Sequence, residues 1–230
     1  MKKFTDFKIS LQEGVYDKNI LKAFFLAGGP GSGKSFVTKN AFAGSGLKFV
    51  NSDRAFEKNL KQANLSIKMP DEEAYFRDML RKRAKTTTAS LMDAYLEGRL
   101  GIVIDGTARD YDLVSSQYQH LVSMGYDCYM IFINTTLQIA IDRNTKRARS
   151  VPEYIVKKSW DTVQQNIGRY QRLFGPSNFI IIDNNRSEEE LINQTLSKAN
   201  KIVNQYLKTP VKNYIGKHWI SKEIQARKRM

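Results

Sequence analysis

The sequence predicts an α/β fold with a mainly parallel five-stranded sheet. Three observations point to it. Five short apolar runs, rich in β-branched and aromatic residues, recur along the chain; longer segments of helical character separate them; and a glycine-rich turn joins the first run to the first helix. Nearly uninterrupted apolar runs belong to strands covered on both faces. Repetition of strand, helix and strand gives parallel neighbours through crossover connections.

The first run, residues 23–28 (AFFLAG), ends in the glycine-rich turn, and residues 35–42 follow as a helix. Residues 47–53 (LKFVNSD), 101–107 (GIVIDGT), 127–134 (DCYMIFIN) and 178–185 (NFIIIDNN) are the other four strands. A long helix covers 71–97. Pro70 precedes it, Asp71, Glu72 and Glu73 suit the positive end of its dipole, and Gly98 follows it. Ala74, Met79, Leu80, Leu91 and Tyr95 are its expected buried stripe. Residues 111–124 and 136–148 are the next helices, and 152–174 is another, stopped by Gly175-Pro176. The last, 187–207, opens with Ser187 and Glu190 in capping-box spacing. The expected organisation is a leader over 1–20, one domain over 21–207 and a basic tail over 208–230.

Composition narrows the class. A chain of 230 residues with 41% hydrophobic and 26% charged residues can bury a proper core, which excludes disorder, collagen and coiled coil as global descriptions. The single cysteine, Cys128, excludes a disulfide framework and is expected inside the fourth strand. No apolar run is long enough to span a bilayer, and the N-terminus lacks a secretory core, so a reducing cytoplasm is the expected compartment.

The net charge of +14 suggests a polyanionic partner. It is concentrated in three segments. One is Arg77, Arg81, Lys82, Arg83 and Lys85; the second is Arg143, Lys146, Arg147, Arg149, Lys157 and Lys158; the third is the tail, with Lys208, Lys212, Lys217, Lys222, Arg227, Lys228 and Arg229 against Glu223 alone. The tail argues for nucleic acid independently of the others, since Tyr214, Trp219 and Ile220 lie among its cations and aromatic rings stack on bases. The same rings can instead pack on the domain.

The chemistry sits in Gly28, Gly29, Pro30, Gly31, Ser32, Gly33, Lys34 and Ser35, a complete G-x-x-x-x-G-K-[ST] motif between a strand and a helix. Glycines let the backbone wrap a phosphate, and inward N–H groups with the helix dipole supply positive potential. Lys34 is placed to reach the β- and γ-phosphates of ATP and Ser35 to offer its hydroxyl to Mg²⁺. The motif makes the fold class a P-loop NTPase three-layer sandwich. Open α/β sheets put their chemistry at the carboxyl ends of strands. There the second strand ends in Asn51-Ser52-Asp53, where Asp53 is either a general base or a helix cap. The third ends in Asp105-Gly106-Thr107, where Asp105 is either a Mg²⁺ carboxylate or a turn residue bonded to its own backbone. The arginines of 142–152 (DRNTKRARSVP) suit a lid over ATP, because a guanidinium donates to two phosphoryl oxygens together.

These residues together resemble the P-loop kinases that include the 5′-kinase domain of phage polynucleotide kinase and the zeta-toxin kinases. The resemblance rests on GGPGSGKS (28–35), NSD (51–53) and RNTKRARSVPEYIVKKSW (143–160), within residues 23–184. It implies an ATP- and Mg²⁺-dependent kinase with an alcohol acceptor on a nucleic acid or nucleotide. Asp53 would be its base, Arg143 and Arg147 its lid arginines, and Arg149 a nucleotide contact at a position where the family often has Lys. It also places adenine recognition after the last strand, near Asn184. One position departs: the family usually carries an acceptor-holding Arg three residues after the base, and here that residue is Phe56. The acceptor therefore stays open between a nucleic-acid end, a nucleotide and a nucleotide sugar. A nucleic-acid-binding NTPase with no dedicated acceptor is the alternative.

The first fourteen residues carry two readings. Phe4, Phe7 and Leu11, followed by Leu11-Gln12-Glu13-Gly14, resemble the capsid-targeting leaders of large tailed phages, which would be cut after Glu13 and would place the protein in the virion. The same spacing describes a short amphipathic helix docked on the domain.

Overall fold

The computed structural model describes residues 14–67, 71–147, 151–185 and 189–229. Its elements in chain order are β1 (Lys22–Ala27), α1 (Lys34–Ala41), β2 (Lys48–Val50), α2 (Ser52–Gln62), α3 (Ala74–Glu97), β3 (Ile102–Asp105), α4 (Tyr111–Ser123), β4 (Asp127–Asn134), α5 (Leu137–Thr145), α6 (Glu153–Phe174), β5 (Phe179–Asp183), α7 (Glu189–Lys208) and α8 (Tyr214–Lys228). The five strands form one sheet in the order β2-β3-β1-β4-β5. Every pairing is parallel, so all five carboxyl ends lie along one edge.

The continuous apolar runs are explained by burial on both faces. Side chains alternate across a strand. Ala23, Phe25 and Ala27 of β1 join Cys128, Met130 and Phe132 of β4 in one cluster with α4 and α6. Phe24 and Leu26 join Tyr129, Ile131 and Ile133 in a second cluster against α1 and α7. Helices thus cover both faces of the sheet, which is the expected three-layer sandwich. Cys128 is buried in β4, as expected for an inert strand residue; burial pushes its thiol well above the ordinary range.

Several expectations change. The second strand is only Lys48–Val50, because the chain turns into a helix at Ser52. That helix, α2, was not expected; Asn51 caps it by accepting a hydrogen bond from Arg54 N. The long helix begins at Ala74, after a 3₁₀ turn over Asp71–Glu73. Its expected stripe holds only in part: Leu80 and Tyr95 pack inward, but Met79 and Leu91 are 53% and 47% exposed, and the fully buried positions are Ala84 and Leu96. The reason is a narrow contact. Ala84 and Leu80 meet Phe56 and Leu60 of α2, and only the far end, at Leu96, Met92 and Tyr95, reaches the main core. Expected helix 136–148 shortens to Leu137–Thr145. Ser187 of the expected capping box and the leader motif up to Glu13 lie outside the described residues. Residues 14–20 pack on the domain, with Val15 and Ile20 buried.

The tail is a docked helix. Trp219, Ile220 and Ile224 of α8 pack against the first cluster, and the Arg99 guanidinium lies 5.8 Å from the Trp219 ring. The approach is close enough that a Cβ on Gly216 would stand 2.3 Å from the Gly125 carbonyl oxygen. Asp127 anchors the connection. It accepts from Lys212 N at 2.9 Å and Asn213 N at 2.8 Å, and from Lys22 Nζ at 2.9 Å in a pair whose side chains are 1% and 8% exposed. Burial lowers the Lys22 ammonium from its ordinary value, with Asp127 opposing the shift. Asp127→Ala leaves that buried cation without its counter-charge, with only the Tyr129 hydroxyl at 3.4 Å, and strips two backbone donors of their acceptor. It is expected to cost about 3–5 kcal/mol, the range for breaking a buried ion pair, read as a lower urea midpoint. Among the described residues no helix is long and apolar enough to cross a membrane.

Candidate active site

The glycine-rich loop closes the carboxyl end of β1. Gly28, Gly31 and Gly33 hold φ of 142°, 78° and 84°, values that L side chains adopt only with strain. Space imposes the same choice. A Cβ on Gly31 would sit 2.0 Å from the Ala140 carbonyl oxygen of α5, and one on Gly33 2.3 Å from Asn184 Nδ2. Gly29 lies against Trp160 of α6, whose indole N–H donates to the Thr135 carbonyl at 2.8 Å. The loop is therefore held from the β1, α5 and α6 sides, with Gly28 N donating to Thr107 O at 3.2 Å.

The cradle fits a polyphosphate. Ser32 Oγ is buried in it with no hydrogen-bond partner among the described residues, an orphan that a phosphate oxygen would satisfy. Lys34 Nζ folds back onto the Gly28 and Gly29 carbonyls at 2.5 and 3.4 Å. Burial pulls the Lys34 ammonium down to about 8; the Asp105 carboxylate opposes this, the Arg147 guanidinium adds to it, and Asp53 opposes it. Three of the residues singled out in the sequence therefore act on the fourth.

Asp53 stands in the first turn of α2. It is not the helix cap, since Asn51 fills that role. Asp105 ends β3 beside Leu26 of β1. Its Oδ2 accepts from Asn51 Nδ2 at 2.5 Å, not from its own backbone. Asn51 thus ties the start of α2 to the end of β3. Asp105 and Ser35 are the oxygen donors here that would suit Mg²⁺ beside bound phosphates. Among the described residues no group of three His, Cys, Asp or Glu forms a metal cluster.

On the other side of the loop, Arg143 NH1 donates to the Asn184 carbonyl at 2.8 Å, and desolvation lowers its guanidinium from the ordinary value. Asn184 is buried, and its amide donates to Ser32 O at 2.8 Å. It braces the phosphate loop from below, which spacing alone does not reveal because the two residues are 152 positions apart. Asn144 closes the start of the arginine segment, exchanging hydrogen bonds with both backbone groups of Val151. Arg149 lies outside the described residues.

Sequence reasoning missed a cleft. It holds about 400 Å³ at the carboxyl ends of the strands between α3 and α4, lined by Val50, Ser52, Lys85, Met92, Arg109 and Leu113, with Asp105 at its floor. Lys85 gives part of the basic run on α3 a place in the site. Phe56, which stands at the departing position, turns away from the cleft: it is 1% exposed within the α2–α3 contact, with the Arg81 guanidinium 4.2 Å from its ring.

A parallel sheet in this order, carrying a phosphate loop after its central strand and Asp105 at the end of neighbouring β3, is the fold of the P-loop kinases. The chain belongs to the AAA domain family AAA_33, whose model matches residues 24–170. Among solved structures it is similar to shikimate kinase from Acinetobacter baumannii in complex with shikimate, with TM-score 0.51 and 14% identity over 86% of this chain and 99% of that one. A gluconokinase from Sinorhizobium meliloti 1021 matches with TM-score 0.48 and 14% identity over 84% and 99%. A structure from the PezAT toxin–antitoxin system of Streptococcus pneumoniae matches with TM-score 0.49 and 16% identity over 91% and 99%. No curated protein matches the chain in sequence at a significant level.

Proposed function

We propose that the chain is an ATP-dependent kinase that moves the γ-phosphate to a hydroxyl on a nucleic acid or nucleotide, in the manner of the polynucleotide kinases. The observation that carries this reading is the phosphate cradle beside a cleft: Lys34 Nζ lies on the Gly28 and Gly29 carbonyls, Ser32 Oγ is buried with no partner among the described residues, and Asp105 lines the adjoining space. In it, the loop N–H groups and Lys34 hold the β- and γ-phosphates. Asp53 takes the proton of the acceptor hydroxyl as its oxygen attacks γ-phosphorus and the bond to the β,γ-bridging oxygen breaks, leaving ADP. Arg143 and Arg147, with Arg149, spread positive charge over the transferring group. Bound Mg²⁺, held through Ser35 and Asp105, would neutralise charge on the β- and γ-oxygens. The cleft supports transfer over simple hydrolysis, since a water nucleophile needs no space of 400 Å³ beside Asp105.

The test is γ-labelled ATP with a panel of acceptors: 5′-hydroxyl DNA and RNA, nucleosides, nucleotides and UDP-sugars. Label on a nucleic-acid or nucleotide hydroxyl is the expected result. Label on a UDP-sugar alone would reassign the acceptor to the zeta-toxin class. Release of free phosphate alone, whatever the acceptor, would overturn the kinase reading.

A further inference from the structure

The helix α8 lies outside the family match, which ends at residue 170. It sits at the amino ends of the strands, where its Gly216 meets Gly125 and Leu21. The phosphate loop lies at the carboxyl ends. The eight residues of β4 separate the two, about 23 Å at roughly 3.3 Å per residue. The helix uses one face for the core, through Trp219, Ile220 and Ile224. On the other face stand Tyr214, Lys217, His218, Lys222, Lys228 and Arg229, all exposed. No acid interrupts them: Glu223, the only acid of α8, is half-buried on the side of Trp219 and Ile220. Lys217 and Lys228 flank a groove of about 510 Å³ with Val211, Ile220 and Ile224 along it, and Tyr214 is 79% exposed.

We propose that this face of α8 is a second site, separate from the phosphate loop, that binds the backbone of a nucleic-acid strand. An acid-free row of lysines neutralises successive phosphates and releases their counterions. The exposed Tyr214 ring and the groove between the lysines give unstacked bases an apolar contact, which a single strand can use. A membrane surface fits less well, because a membrane-binding helix must bury a broad apolar face in lipid, whereas Trp219 of α8 packs on the core and Ile220 and Ile224 are half-buried, leaving only their edges to the groove. A strand held here leaves the cleft open at the other end of the sheet. The site therefore adds affinity for nucleic acid whatever the acceptor is, and it stands or falls independently of the kinase reading.

The test is fluorescence anisotropy with a 20-nucleotide single strand, fluorescein at one end and phosphate at the other, titrated over a range of salt. DNA and RNA versions run as separate arms. Deleting α8 would uncover the core, so charge is changed instead. The variant Lys217→Gln/Lys222→Gln/Lys228→Gln is expected to bind at least about tenfold more weakly and to lose roughly 2 from the slope of log K against log salt, at about 0.7 per phosphate contact on a single strand. Thermal midpoint and ATP binding should stay unchanged. Lys217→Arg/Lys222→Arg/Lys228→Arg should keep the wild-type slope. Neutralising Lys58, Lys61 and Lys201 removes the same charge elsewhere and should change the slope by less than half as much. No binding of either strand by the wild-type protein overturns the proposal, as does an equal loss in the control variant. Binding to phosphatidylserine vesicles alone, abolished by the glutamine variant, also overturns it and reassigns the face to a membrane.

Discussion

Lys34→Ala is expected to weaken ATP binding by about 10- to 100-fold, the loss of one charge-assisted hydrogen bond to phosphate. Phosphoryl transfer should fall by a further ~100- to 1,000-fold, the scale for removing one preorganised donor from developing charge. Calorimetry and labelled-phosphate transfer measure the two parts. The environment of Lys34 adds a signature that a structural role would not produce. Without nucleotide the ammonium is pulled down to about 8 by burial. Polyphosphate brought against it favours the charged form. Binding at pH 8.5 should therefore take up protons, seen as a calorimetric enthalpy that varies with the ionisation enthalpy of the buffer. At pH 6.5 Lys34 is already charged and contributes no uptake, and Lys34→Ala should remove the effect at pH 8.5. The sign for stability follows from the same depression. A lysine whose folded-state value lies below its unfolded one makes the unfolded chain the better proton binder, so the nucleotide-free fold gains stability as pH rises from about 8 towards the unfolded value. Buffer-independent binding at pH 8.5 would show that Lys34 does not face the phosphates.

The parts of this site that were legible in the sequence are those written into neighbouring residues. The loop motif is local, and φ at Gly28, Gly31 and Gly33 is what its glycines are for. The strands β1 and β4 were legible because burial on both faces leaves no polar position to interrupt the run. Helix α2 was not, because only Phe56 and Leu60 are buried along its eleven residues, too few to outweigh the apolar strand signal just before it. Long-range roles were also invisible. The brace of Asn184 on Ser32 and the clamp of Asp127 on Lys22, Lys212 and Asn213 are made by the closure of the sheet and by the docking of α8. For the same reason the tail left two readings, its rings stacked on bases or packed on the domain; folding turns Trp219 inward and leaves the lysines outward.

Asp53→Asn is expected to lower transfer by about 100- to 10,000-fold, the usual contribution of a positioned general base, while ATP binding stays within about threefold of wild type. The separation follows from placement. Asp53 stands at the start of α2, next to Ser52 of the cleft lining, and it acts on Lys34 less strongly than Asp105 does. Asp105→Asn should give the opposite pattern, with Mg²⁺ dependence shifted to higher concentration, since it loses an oxygen donor that the cation would use. Asn51 couples the two, because its Oδ1 caps the helix carrying Asp53 and its Nδ2 holds Asp105. Asn51→Ala should therefore lower kcat and shift the Mg²⁺ requirement together, whereas Asn51→Asp keeps the cap but sets two carboxylates side by side and should rescue neither. Initial rates across a Mg²⁺ series, with calorimetry of ATP binding for each variant, separate these outcomes. If Asp53→Asn keeps full transfer while Asp105→Asn loses it at every Mg²⁺ concentration, the proton of the acceptor goes to Asp105, and the reaction has to be rebuilt around the end of β3.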